Sequence, residues 1–336
     1  MSAVVAPLAF LVAAVAAPEA KLVATAAELG TAFDRFETAD GLGRTISFYV
    51  SAGRDKDAAR PLALFVQGSG ATSVFQKSPD GRVGAGLPGL LLREGKGAIH
   101  VAVVEKPGVE FLATLDRPGT AAGASAEFNR EHTLPRWAEA VGAALRASAA
   151  LPGVDASRVL VAGHSEGGIV AARVAAAHSA LVTHAGVLSG GGPSQLFEMA
   201  ESARRPRSPD EPKDEREKRV ESVYATWAEI MADPDSATKM VWGHSYRRWS
   251  SYLAESPLDH LLAAKTARIF VAYGTEDESS PTVSNDVLRA ELVRRGRDVV
   301  VQRRIGEDHG FRKPSDPPGP GSLPDVFRAL VEWFRE

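Results

Sequence analysis

The chain has 336 residues, enough for one large domain or two small ones, and its 44% hydrophobic and 24% charged residues are ordinary for a protein that folds around a core. Its 39 basic and 42 acidic side chains leave a net charge of -3, so no global field draws it to nucleic acid or to an anionic membrane. The lack of cysteine excludes disulfide frameworks, thiolate metal sites and a cysteine nucleophile.

Val4 to Ala17 is an apolar stretch broken only by Pro7, and Ala14-Val15-Ala16-Ala17 offers a cleavage site after Ala16. Residues 1–20 therefore read as a signal peptide of a secreted or periplasmic protein, although the first basic residue is Lys21. The alternative is an apolar helix packed on the body of a cytoplasmic protein. Beyond this segment no apolar run approaches the roughly 20 residues that span a bilayer, so stable membrane insertion of the mature chain is not expected.

Phe33–Phe36 and Thr45–Val50 flank the turn signal Asp40-Gly41 and read as an antiparallel hairpin at one sheet edge. Apolar runs at Leu62–Val66, Ile99–Val104, Val159–Ala162, Val187–Leu188, Ile269–Tyr273 and Val299–Val301 read as buried strands. Helix-spaced apolar residues at Leu134–Ala149, Gly168–Ala177, Val283–Arg295 and Pro324–Phe334 would cover them. This alternation predicts an α/β fold with a mostly parallel sheet flanked by helices. Residues 194–262 break the rhythm. Glu201–Glu221 holds seven basic and seven acidic residues, a solvated helix face, and an aromatic-rich part follows. We expect an inserted helical cap over 194–262, with the core formed by 21–193 and 263–336.

Arg158–Ala162 runs into Gly163-His164-Ser165-Glu166-Gly167-Gly168 and then into Ile169–Ala177, which gives strand, sharp turn and helix in the order of a nucleophile elbow. Ser165 would project above the sheet edge, and the Glu166 N–H would face a developing oxyanion. A serine hydroxyl needs a base and a carboxylate to orient it. His309, in the loop between the last strand and the last helix, is the expected base. Asp277, after the Ile269–Tyr273 strand, is the expected acid, with Glu276 and Glu278 as rivals and Asp308 as a neighbour that rarely faces the adjacent ring. Gln67-Gly68-Ser69-Gly70 follows the Leu62–Val66 strand, and Ser69 N–H would be the second oxyanion donor. Glu105, after the Ile99–Val104 strand, either lines the pocket or forms a surface ion pair. Trp242, Tyr246 and Trp249 either wall an acyl or aromatic group or form the core of the cap.

Gly163–Gly168, Asp277, His309 and Gln67–Gly70 together resemble the α/β-hydrolase superfamily, in its esterase, dienelactone-hydrolase and prolyl-oligopeptidase-related branches. That resemblance implies acyl transfer to water by Ser165, His309 and Asp277, with a small ester as substrate, or a short peptide if a carboxylate such as Glu198, Glu201, Glu221 or Glu229 receives the substrate amine. A binding protein without catalysis is the reading from another class. No cofactor is needed for such chemistry. No metal is expected, since H-E-x-x-H is missing and Gln67–Gly70 lacks the Lys and Ser/Thr of a phosphate loop.

Overall fold

The computed structural model describes residues 19–336, and the cleavage site expected after Ala16 lies outside the described residues. The first strands are β1 (Lys21–Ala24), β2 (Phe33–Ala39), β3 (Thr45–Ser51) and β4 (Arg60–Val66), with α1 (Ala26–Leu29) after β1. A short ribbon, β5 (Gln76–Lys77) and β6 (Val83–Gly84), precedes α2 (Gly86–Glu94) and β7 (His100–Val104). Next come α3 (Ala126–Glu131), α4 (Leu134–Ala149), β8 (Val154–His164), α5 (Glu166–Ala177) and β9 (His184–Leu188). The following segment holds α6 (Gln195–Arg204), α7 (Lys213–Ala232), the ribbon β10 (Met240–Val241) and β11 (His244–Ser245), α8 (Tyr246–Leu253) and α9 (Pro257–Ala263). β12 (Arg268–Gly274), α10 (Thr282–Arg294), β13 (Val299–Arg304) and α11 (Leu323–Arg335) complete the chain.

Nine strands form one sheet in the order β1-β2-β3-β7-β4-β8-β9-β12-β13. The pairs from β7 onward to β13 are parallel, while β1, β2 and β3 join antiparallel. The expected hairpin forms with Phe36 opposite Phe48, and Asp40 Oδ1 closes its turn by accepting from the amides of Leu42 and Arg44. It does not occupy the edge, because β1 pairs outside β2. A four-residue strand with polar Lys21 and no clear alternation leaves little trace in a sequence.

The central strands bury both faces, as parallel strands must when helices lie on each side. Along β4, Leu62, Leu64 and Val66 enter one core with α4, α5 and α9, while Ala63 and Phe65 enter the other with α2 and α11. α4 starts where Thr133 Oγ1 accepts from the Arg136 amide and Pro135 fits the first turn. α11 presents Val326, Leu330 and Phe334 at helical spacing, and Phe327 meets Phe65 edge to face at 5.6 Å. No helix of the described residues is long and apolar enough to cross a membrane.

In the segment after β9, Ile230, Trp249 and Leu253 form a separate small core against Leu196, Met199 and Trp227. Leu258 and Leu261 of α9 instead join the core beside α5. Replacing Phe327 by Ala should cost about 3–5 kcal/mol, since the ring sits wholly buried between α11 and β4. Urea unfolding checks this, and a loss well under 1 kcal/mol would show that the α11 layer collapses around the void.

Candidate active site

The turn between β8 and α5 is tight enough to force Ser165 to φ 57° and ψ -128°, a conformation that costs a non-glycine residue on the order of 1–3 kcal/mol. It persists because its surroundings leave no alternative. The Ser165 amide donates to the Leu188 carbonyl at 2.9 Å, and the Gly168 amide closes back on the Ser165 carbonyl at 2.9 Å. A Cβ on Gly163 would strike the Gly167 carbonyl, and one on Gly167 would strike the carbonyl of Val66 at the end of β4. Only hydrogen fits at both positions, so backbone segments meet directly beneath the serine.

The loop after β12 carries Asp277, which is fully buried, and its Oδ1 accepts from the amides of Ser279 and Ser280, each at 2.8 Å. The half-buried His309, from the loop after β13, donates through Nδ1–H to Asp277 Oδ2 at 2.8 Å. That bond leaves Nε2 as the free ring nitrogen. His164, next to Ser165, donates its Nε2–H to the His309 carbonyl at 2.8 Å. Burial pulls the His164 ring down to about 4, so it remains a neutral donor at physiological pH. The rival acids lie elsewhere: Glu276 and Glu278 are exposed, and Asp308 accepts from the Gly310 and Arg312 amides of its own turn.

Under the elbow, the Glu166 side chain is buried and receives three donors from distant segments. Its Oε1 takes Lys106 Nζ at 3.0 Å and His132 Nε2 at 2.8 Å, and its Oε2 takes Arg248 Nη2 at 2.7 Å. Burial alone would raise this carboxyl, but His132, Lys106 and Arg248 hold it well below the usual range. Lys106 Nζ also donates to the carbonyls of Gly68 at 2.7 Å and Gly70 at 3.1 Å. One ammonium thus fixes the Gly68–Gly70 loop from behind and ties it to the residue that follows Ser165. The amides of Ser69 and Glu166 donate to no other group of the described residues. Arg248 stacks on Trp249 at 3.9 Å and Tyr252 at 4.2 Å, which joins α8 to the elbow.

Ser165, Ser69, Glu166, Ser189, Gln195, Glu198 and His309 line one cavity of about 290 Å³. His309 and Ser279 also border an outer cleft of about 710 Å³. The arrangement can deliver a hydroxyl, an oriented imidazole and two free amides to one small carbonyl compound. No group of three or more metal-ligating side chains occurs among the described residues.

The model of the Alpha/beta hydrolase family matches residues 64–312, well over half of the sequence. The chain belongs to that family. No curated protein matches the sequence. Among solved structures the chain is similar to a puromycin-hydrolyzing peptidase of Mycobacterium tuberculosis, at 18% identity and a TM-score of 0.57, over 94% of this chain and 38% of that one. It is also similar to Est1E from Butyrivibrio proteoclasticus, at 14% identity and a TM-score of 0.54, over 90% and 97% of the two chains. An acylaminoacyl peptidase from Pyrococcus horikoshii aligns at 14% identity and a TM-score of 0.58, over 91% of this chain and 42% of that one. The chain therefore spans less than half the length of either peptidase but nearly all of Est1E. Likeness at these identities extends to the fold alone.

The structure brings together the expected Ser165, Asp277, His309, Ser69 and Glu166 and leaves out four residues expected at the pocket. Glu105 points the other way, buried against Ser73 Oγ at 2.5 Å and the Val74 amide at 3.2 Å. Glu105 and Lys106 are both buried, which rules out the surface ion pair as well, and burial pushes the Glu105 carboxyl up to about 7. Trp249 is buried and donates to the Val241 carbonyl, Trp242 packs edge to face on it, and Tyr246 joins the same small core. A segment with few other large apolar residues uses its rings to hold itself together, so none of the three lines the cavity. Lys106, His132, Arg248 and His164 escape a reading of the sequence because their partners lie far away in the chain. The Glu105-Lys106 pair on the correct sheet end was the one available signal.

Glu198 stands among the four carboxylates named as amine partners, and it alone reaches the cavity. Its Oε1 accepts from Ser280 Oγ at 2.7 Å and Ser284 Oγ at 3.0 Å. Burial, with Asp277 adding to it against the two hydroxyls, pushes the group from 4.5 up to about 8. The folded chain thus keeps a proton that the unfolded chain releases, so stability falls as pH rises from about 4.5 to about 8. Glu198→Gln should remove this dependence. Denaturation at pH values on either side of that window should show the variant gaining on the wild type by a few kcal/mol toward the alkaline side.

Proposed function

We propose that the protein is a serine hydrolase that cleaves a carboxylic ester of a small acid. The observation that carries this reading is the Asp277–His309 pair on the wall of the same cavity that Ser165 lines. Ser165 Oγ attacks the carbonyl carbon while His309 Nε2 takes its proton, and Asp277 holds the imidazolium through Nδ1–H. The amides of Ser69 and Glu166 receive the oxyanion. The C–O bond to the alcohol then breaks as His309 returns the proton to the departing oxygen. Water attacks the acyl-enzyme with His309 again as base, and the acid leaves.

A cavity of about 290 Å³ favours a short acyl group over a long chain. A fluorophosphonate should label the wild type and spare Ser165→Ala, and the variant should lose nearly all hydrolysis of short acyl esters. Well-folded wild type that resists labelling would sink the proposal. Acyl anilides cleaved faster than the matching esters would move the protein to the peptidases.

Lys106 acts through the loop and Glu166, as a positioning residue. Lys106→Met should lower kcat by about 10- to 100-fold with a much smaller change in KM, because the two amides are needed chiefly in the transition state. Affinity for a trifluoromethyl ketone should fall in parallel with kcat. A purely structural lysine would lower the amount of active enzyme and leave that affinity unchanged.

A further inference from the structure

The small cavity that Ser165 lines has a second polar wall, formed by Ser189, Gln195 and Glu198. Glu198 is buried, two serine hydroxyls occupy its Oε1, and its Oε2 has no partner among the described residues. Gln195 Oε1 and Ser189 Oγ are buried without partners too, and both residues line the same cavity. Among the described residues no lysine or arginine lines it. The Glu166 charge, the other acid at this place, is already met by Lys106 and Arg248. A buried carboxyl group with no cation is costly to ionise, and burial accordingly pushes Glu198 up to about 8. A ligand that brings a positive charge and several N–H donors can meet Glu198 Oε2, Gln195 Oε1 and Ser189 Oγ together, and a primary ammonium, with three donors and no acceptor, has that form.

The side of the scissile bond follows from His309. The imidazole hands its proton to the leaving group, and it borders the outer cleft of about 710 Å³ as well as the inner cavity. The alcohol therefore belongs on the outer side and the acyl group on the inner side, with Glu198. We propose that Glu198, with Gln195, forms a subsite for a primary ammonium on the acyl group, so that the preferred substrates are esters of amino acids. This inference rests on the serine-hydrolase reading above.

The test compares alanine benzyl ester with propionic acid benzyl ester, two substrates that differ chiefly by the ammonium group. The wild type should favour the alanyl ester by about 10- to 100-fold in kcat/KM, the range of one charge-assisted hydrogen bond. In Glu198→Gln that ratio should fall by about 10-fold or more, mainly through KM. Should this variant fail to fold, inhibition by n-propylamine that 1-propanol does not match still decides, because the α-ammonium also activates the ester itself. Equal rates on the two esters, or a preference for the propionyl ester, overturn the inference while fluorophosphonate labelling of Ser165 keeps the hydrolase reading alive. Absence of both labelling and turnover overturns both. Alanine anilide is the third arm: if it is cleaved faster than the alanyl ester, the same ammonium subsite serves free peptide N-termini and the claim for esters falls.

Discussion

A carboxylate taken out of water must be met by charge or be neutralised, and Glu166 is such a group. Because it directly follows Ser165, whatever meets it is drawn to the elbow. Lys106 arrives from the end of β7, Arg248 from α8 and His132 from the end of α3. Burial pulls His132 down to about 4, so it donates as a neutral ring and the two cations carry the balance of charge. Such an arrangement adds little net stability compared with apolar packing, but it admits one geometry. Here that geometry fixes the Gly68–Gly70 loop behind two free amides and ties α8 to the elbow.

The sheet supplies the other half of the construction. Parallel strands deliver their following loops to one edge, so Gln67–Gly70 after β4, Ser165 after β8, Asp277 after β12 and His309 after β13 converge although they are spread over most of the chain. The strained Ser165 backbone is sustained by contacts that permit no side chain at Gly163 or Gly167. His164 then ties the elbow to the carbonyl of His309. Both sides of the proposed proton transfer are thereby referred to a common piece of backbone.

Much of this was legible in the sequence, and the reason is periodicity and order. α4 spans Leu134–Ala149 as its apolar spacing predicted, and the six apolar runs all became strands. Ser165, Asp277 and His309 could be chosen because each lies in a loop after a strand, although the strand before His309, β13, is a half-exposed edge and not the buried strand its Val299–Val301 run predicted. The misses share a different cause. α2 contains Gly86, Pro88 and Gly89, which hide a helix that tertiary packing nevertheless stabilises. Glu105 and Trp249 have residue types suited to a pocket, and only the folded chain reveals that Ser73 and Val241 already engage them. Glu166 was read for its amide alone, since nothing local announces that Lys106 and Arg248 will reach its side chain.

One feature at the far end of the sheet bears on how the molecule behaves in company. β13 pairs only with β12, so its outer amides and carbonyls form an open rim. Rims of this kind invite a neighbouring chain to add a strand and begin aggregation. β13 ends in Arg303 and Arg304, held near Asp286 at 3.8 Å and Glu307 at 3.1 Å. An incoming strand would have to dehydrate both guanidinium groups and disturb their acids, while the opposite rim, β1, is only four residues long. Charge on one border and brevity on the other leave an extensive sheet with no ready template for self-assembly.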